Sequence, residues 1–274
     1  MTLNFVEMLK VIFLGIVEGI TEWLPISSTG HMLLVDEFMP LSMSEAFKEM
    51  FFVVIQLGAI LAVVVLFWDK MNPFRFKEKP AIKKDTVSVW LKVIVACLPS
   101  AVGLLIDDFL EEHFGNAVSI AIMLIVYGIA FIIVEQWNKK RTPKMESLGD
   151  ITYRATFLIG VFQILAMVPG TSRSGATIIG ALIIGVSRTA AAEFTFFLAV
   201  PTMIAASGVK LIKFGFNFTS SELIVLAVGT IVAFAVSLVA IKFLMSYVKK
   251  HDFKVFGWYR IVLGIIVLLV TFLR

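Results

Sequence analysis

Two short polar strings lie inside otherwise apolar sequence. The first carries Glu18, Glu22, Pro25, Ser27, Ser28, Thr29, Gly30 and His31, and the second Pro169, Gly170, Thr171, Ser172, Arg173, Ser174, Gly175 and Thr177. Carboxylates, hydroxyls, an imidazole and a guanidinium in hydrocarbon cost free energy unless they meet one another, water or a polar ligand. Their placement therefore reads as a site.

Glu18 and Glu22 are four apart, so on a helix they share one face with Cβ atoms roughly 5–6 Å apart. Two like charges so placed repel unless a cation sits between them, one is protonated, or Arg173 neutralises them. A hard divalent cation, Mg²⁺ or Ca²⁺, is the economical answer, with water and phosphate oxygens completing its shell. The plainer alternative is a helix end where both acids reach water. Ser27, Ser28 and Thr29 follow Pro25, and Ser172 and Ser174 follow Pro169 and Gly170, so each string places small, hydroxyl-rich backbone before a new helix. Helix N-termini present free N–H groups and a positive dipole end, and two facing one another form an anion cradle. Plain N-capping explains the hydroxyls but neither Arg173 nor His31. Arg173 costs about 2.5–3.5 kcal/mol at membrane depth. It is expected to bind phosphate bidentately in preference to a structural pair with Glu18 or Glu22. His31 reads as nucleophile, general acid or hydrogen-bonded support. Gln56 and the Glu193 to Thr195 stretch are weaker interruptions that suit supporting roles. His113 and His251 lie in charged stretches and read as solvated, Cys97 as inert packing, and Pro99 and Pro201 as kinks.

The elements that hold these residues belong in a membrane. Of 274 residues 59% are hydrophobic and 16% charged, with mean hydropathy +0.96, more apolar side chain than one soluble core of this size needs. Apolar runs at about 51–68, 87–106, 117–134, 194–212, 223–245 and 255–273 predict six spanning helices. Two further runs, 3–35 and 152–186, are broken by the polar strings and predict re-entrant helical hairpins, since irregular backbone at that depth must be buried in protein or bathed in water. The first lacks the basic start and cleavage site of a signal peptide.

Basic residues cluster at Lys70, Arg75, Lys77, Lys79, Lys83 and Lys84, at Lys139, Lys140, Arg141 and Lys144, and at Lys249, Lys250 and Lys254. With both hairpins re-entrant, all three clusters fall on one side, cytoplasmic by the positive-inside rule. Acidic loops at Asp36, Glu37, Glu45 and Glu49, and at Asp107, Asp108, Glu111 and Glu112, fall on the other. These charges read as topology signals and solvated faces, with no nucleic-acid role. An offset of 145 aligns Gly15 with Gly160, Glu18 with Gln163, Thr29 with Ser174 and Gly30 with Gly175, so each half reads as a hairpin plus three spans. The expected fold is an all-α polytopic membrane protein, a single domain over 1–274. It is an inverted-topology repeat of about 1–138 and 151–274, with the polar strings meeting near the midplane.

Together with Val54 to Gly58 and Gly185 to Arg188, these strings resemble the bacitracin-resistance (BacA/UppP) type of undecaprenyl-diphosphate phosphatase over essentially the whole chain. The resemblance implies a hydrolase of the bacterial cell membrane that removes the terminal phosphate of undecaprenyl diphosphate. The product recycles the lipid carrier for cell-wall synthesis and confers bacitracin resistance, bacitracin competing for the substrate without binding the protein. It also implies a divalent cation and an active site open to the extracytoplasmic side; membrane lipids surround such a chain, and the sequence leaves its oligomeric state, a homodimer included, open. On this footing Glu18, Glu22, Ser27, Ser28, His31 and Arg173 are the expected catalytic residues, with Glu18 and Glu22 on the metal. Thr29, Gln56, Gly170, Thr171, Ser172, Ser174, Gly175 and Thr177 are the expected substrate contacts. Hydrolysis of a phosphoanhydride needs neutralised non-bridging oxygens, an aligned nucleophile and a stabilised leaving group, which these residue types supply. Which of Ser28, Ser27, His31 or water attacks stays open. A type-2 phosphatidic-acid phosphatase would need a second, downstream His with an acidic partner, and only His251 follows Arg173. A polyprenyl-phosphate or ion transporter would use the inverted repeat but has less need of the Glu pair, the Ser cluster and His31 together.

Overall fold

The computed structural model describes residues 4–74, 82–103 and 106–273. Arg75, Lys77 and Lys79 of the first basic cluster lie outside the described residues, as do the side chains of Asp107, Asp108 and Glu111. The regular secondary structure of the described residues is helical apart from two isolated bridges, Phe74 with Ile82 and Met145 with Val186. In order the helices are α1 (Phe5–Thr21), α2 (Ser28–Phe38), α3 (Glu45–Val54), α4 (Gln56–Leu66), α5 (Trp68–Met71), α6 (Lys84–Gly103), α7 (Asp107–Phe114), α8 (Ala117–Asn138), α9 (Tyr153–Leu165), α10 (Arg173–Ile184), α11 (Arg188–Phe214), α12 (Ser220–Val248) and α13 (Lys254–Leu273).

Among the described residues five stretches are long and apolar enough to cross a membrane: Glu45–Leu66, Ala117–Asn138, Arg188–Phe214, Ser220–Val248 and Lys254–Leu273. The protein is a multi-span helical membrane protein. Its outer surface is correspondingly apolar, with Leu61, Ile133, Val239 and Phe272 exposed, as lipid contact allows and water does not. The sixth expected span, 87–106, falls on α6, whose 20 residues include Lys84, Asp85, Lys92 and Pro99. The acidic stretches expected in loops are helical. Asp36 and Glu37 end α2, Glu45 and Glu49 lie on α3 behind the Ser44 cap, and residues 107–114 form α7. An acidic residue just after a cap complements the helix dipole, so helix extends further than hydropathy alone indicates.

The two hydrophobic runs carrying the polar strings are each broken into a helix pair, α1 with α2 and α9 with α10. These four helices have 17, 11, 13 and 12 residues. At 1.5 Å per residue they measure roughly 16–26 Å, short of a ~30 Å hydrocarbon core. The breaks repeat one another. Ser27 (φ 75°) and Ser172 (φ 74°) are the non-glycine residues with positive φ among those described, and each accepts a hydrogen bond from the amide three residues on, of Gly30 and Gly175.

Packing repeats as well. Helix α1 lies along α12 and α9 along α6, while α8 lies along α13 and α10 fits between α8 and α11. Gly160 on α9 faces the Ala96 carbonyl of α6 so closely that any Cβ would overlap it. The main core gathers Trp23, Ile60, Phe131, Ile178, Phe194, Phe196 and Phe197 around the breaks, with Trp23 edge-on to Phe196 at 5.1 Å.

Polar contacts collect the basic segments at one end of the molecule. Lys70 pairs with Glu193 at 2.7 Å, and buried Lys92 donates to the Gly149 carbonyl at 2.7 Å. Arg188 grips the fully buried Glu135 carboxylate with Nε and Nη2, and the Phe253 amide donates to the same carboxylate at 3.0 Å. At the other end Lys48 bridges Asp36 and Glu45, each at 2.9 Å.

Candidate active site

The breaks bring the N-termini of α2 and α10 together beside a cavity of about 390 Å³. Glu22, just past the end of α1, is the meeting point and is 6% exposed. Its Oε2 accepts a hydrogen bond from Ser28 Oγ at 2.6 Å, and its Oε1 accepts from Arg173 Nη2 at 2.9 Å. Arg173 Nη1 also donates to the Thr195 carbonyl at 3.3 Å. A carboxylate, a hydroxyl and a guanidinium from three helices thus converge on one wall of the cavity. Ser27, Thr29, Gln56, Pro169, Gly170, Ser172 and Ser174 line it too.

The hydroxyls are not equivalent. Ser27 Oγ and Ser172 Oγ are occupied as helix caps, whereas Ser28 Oγ points its proton at a carboxylate. The following amides, of Ser28 and Thr29 on α2 and of Arg173 and Ser174 on α10, have no partner among the described residues, as the first turn of a helix leaves them. These free donors and the two helix dipoles favour an anion at the polar wall, where Arg173 is paired with Glu22.

Five expected site residues stand behind that wall. Glu18 is fully buried and neither carboxylate oxygen has a hydrogen-bond partner among the described residues, while the Glu22 carboxylate one turn on lies close enough to repel it. Thr171 and Gly175 are buried beneath the α10 turn. Thr177 Oγ1 bonds the Arg173 carbonyl and the Thr195 hydroxyl, each at 2.9 Å, so it fixes the first turn of α10 against α11. His31 turns away. Its Nδ1 lies 2.7 Å from the Ser27 carbonyl, which can only accept, so Nδ1 carries a proton, and Nε2 shares a hydrogen bond with the Tyr259 hydroxyl at 2.7 Å.

The rest of the cavity is mostly small and apolar, with Cys97 and Ala101 from α6, Ala166 and Met167 after α9, and Ala205 and Ala206 from α11, interrupted by Ser100, Gln163 and Thr202. A polar wall and an apolar trough in one cavity suit an amphiphile with an anionic head.

Comparison with known proteins agrees with this geometry. The family described as "Bacitracin resistance protein BacA" matches residues 11–266. The chain belongs to this family. A protein named "Undecaprenyl-diphosphatase" from Enterococcus faecalis is 72% identical over 274 residues, covering 99% of each chain. Proteins of the same name from Desulfitobacterium hafniense and Acetivibrio thermocellus are 62% and 60% identical, covering 96% of this chain and 96% and 97% of their own.

In this BacA-family chain, sequence reasoning overlooked three residues at the site. Gln163, the counterpart of Glu18 in the second hairpin, lines the cavity and donates through Nε2 to Ser100 Oγ. Tyr259 holds His31. Arg260 is 0% exposed and donates to carbonyls of both breaks. A charge inside the last apolar run was the signal for Arg260; Tyr259 carried none, because an interfacial tyrosine in a span is ordinary.

Proposed function

We propose that this chain hydrolyses undecaprenyl diphosphate to undecaprenyl phosphate and inorganic phosphate, recycling the lipid carrier for cell-wall polymers and so conferring bacitracin resistance. One observation carries the reading. Ser28 and Arg173 meet on opposite oxygens of Glu22 where two helix N-termini converge, in a cavity whose remaining walls suit an isoprenoid chain. The terminal phosphate sits on the free amides and Arg173, which neutralise charge as the transition state spreads it over the non-bridging oxygens. Ser28, its proton directed at Glu22, attacks phosphorus or orients the attacking water; Glu22 takes the nucleophile's proton, the bond to the bridging oxygen breaks and undecaprenyl phosphate leaves, and in the serine route water then cleaves the phosphoserine to release inorganic phosphate and restore Ser28. His31 holds the Ser27 carbonyl and so the turn that presents Ser28. The related proteins named undecaprenyl-diphosphatase support the substrate assignment.

Glu18 and Glu22 fit a divalent cation. Both Glu18 oxygens are buried without a donor, and the two carboxylates would need only phosphate and water oxygens to complete a hard-cation shell. A bound Mg²⁺ or Ca²⁺ would supply Lewis-acid stabilisation of phosphoryl oxygen.

The fold we infer for this reading has six spans, with α6 as the sixth, and two re-entrant hairpins in an inverted repeat. The exchanged pairing of α1 with α12 and α9 with α6, the matching caps at Ser27 and Ser172, and the four short broken helices support it. The one-sided gathering of Lys70, Lys92, Lys144 and Arg188 supports a cytoplasmic placement of that end and an active site facing the extracytoplasmic side. Phosphate release from undecaprenyl diphosphate by purified protein in detergent, with Mg²⁺ or Ca²⁺ present, is the test. Absence of release by folded wild-type protein, or binding without turnover, overturns the hydrolase reading in favour of a transporter.

A further inference from the structure

Arg260 is the seventh of the 20 residues of α13, with no exposed surface and no carboxylate partner among the described residues. Its guanidinium is surrounded by carbonyl oxygens instead. Nη2 donates to Gly170 and Thr171, each at 2.8 Å, Nη1 to Pro25 at 3.2 Å, and Nε to Leu124 at 3.4 Å. Pro25 belongs to the first break, Gly170 and Thr171 to the second. One side chain from a third part of the chain therefore holds the backbone of both.

The direction of those carbonyls matters more than their number. In a trans peptide the C=O and the following N–H point in opposite directions, so a carbonyl drawn onto Arg260 turns the next amide away from it. Two of the three amides so turned are occupied, Ile26 by the Leu24 carbonyl at 2.7 Å and Thr171 by the Val168 carbonyl at 3.1 Å. The third, Ser172, has no partner among the described residues. Ser172 lines the cavity and precedes the free amides of Arg173 and Ser174, so three successive unpartnered N–H groups belong to residues on its wall. Ser172 has φ of 74°, a conformation that costs a side-chain-bearing residue energy and persists only where its surroundings hold it.

We propose that Arg260 is a positioning residue for the hydrolysis. By holding the Gly170 and Thr171 carbonyls it fixes the 171–172 peptide with its N–H toward the cavity, where that amide stabilises the terminal phosphate as charge develops. Without this anchor the peptide can rotate to relieve the strain at Ser172, and the cavity wall loses the first of these donors. This inference rests on the phosphatase reading above. Lysine at 260 keeps the charge but has a single ammonium, which cannot hold carbonyls of both breaks in the planar fork that arginine provides.

The test is steady-state kinetics on purified wild type, Arg260→Lys and Arg260→Met with undecaprenyl diphosphate, each checked for a monodisperse detergent complex and a cooperative melt. Loss of a preorganised donor lowers kcat by about 100- to 1,000-fold with KM little changed, so Arg260→Met should fall in that range. Arg260→Lys should fall between it and wild type. Arg260→Met leaves buried carbonyls without donors, and if it does not fold, Arg260→Lys decides alone. Wild-type kcat in either folded variant overturns the proposal, as does a loss confined to KM or to melting temperature. Failure of the wild type itself to release phosphate defeats the phosphatase reading instead, and the two failures are thereby told apart.

Discussion

Replacing Arg173 by lysine keeps the charge and removes the fork. In the structure Nη2 holds Glu22 Oε1 at 2.9 Å and Nη1 holds the Thr195 carbonyl at 3.3 Å, with the side chain 15% exposed on the cavity wall. A lysine ammonium can replace one of these contacts. If it stays on Glu22, it no longer offers two parallel donors to a phosphate, and the loss is felt most when charge on the phosphoryl oxygens is greatest. Hydrogen bonds to charged groups are worth about 1.5–3 kcal/mol, and a transition-state donor about 2.7–4 kcal/mol. A loss of roughly 2–4 kcal/mol in kcat/KM, or about 30- to 1,000-fold, is therefore expected. The assay is initial-rate phosphate release from undecaprenyl diphosphate in detergent at saturating Mg²⁺, with melting of each variant measured in parallel. A folded Arg173→Lys enzyme within about threefold of wild type would show that a point charge suffices, and would refute bidentate recognition as the role of this arginine.

Ser28→Ala should lower kcat by about 100-fold or more, since it removes the hydroxyl aimed at Glu22. Ser27→Ala should appear chiefly as a loss of about 0.5–2 kcal/mol in stability, the range for losing an N-cap; equal kcat losses in two folded variants would refute the distinction between attacking and capping serine. Glu18→Gln and Glu22→Gln should each raise the Mg²⁺ or Ca²⁺ concentration for half-maximal activity, because either leaves a single carboxylate for the ion. An unchanged midpoint in both and in the folded double variant removes the pair as the metal site. Gly160→Ala must separate α9 from the Ala96 carbonyl and should cost about 1–3 kcal/mol by overpacking. A melting temperature equal to wild type would show that the α6–α9 contact is slack.

Much of this protein is written locally. Long apolar runs specify spans because hydrophobic burial depends on composition over some twenty residues, and five of the six windows coincide with long apolar helices. The Glu18/Glu22 pair, the hydroxyl-rich breaks and Arg173 are legible for the same reason, since a polar group in an apolar run announces its own cost. Helix ends were less legible. Ser44 and the acids behind it extend helix into stretches that charge alone marks as loop, because a cap satisfies amides that hydropathy does not count.

Partners were decided by the tertiary structure. From sequence His31 could serve as nucleophile, acid or support, and what places it is a tyrosine 228 residues away that binds its Nε2. Gln163 and Ser100 line the cavity because α9 lies against α6, and Thr177 turns inward because Thr195 of α11 meets it. Arg260 is the clearest case. The sequence shows one arginine inside a span, but only the packing of α13 against α8 beside both breaks delivers its guanidinium to the Pro25, Gly170 and Thr171 carbonyls. Hydropathy and helical period act within a segment, whereas the hydrogen-bond partner of a buried polar group is settled by which segments meet. At this site they meet across more than two hundred residues.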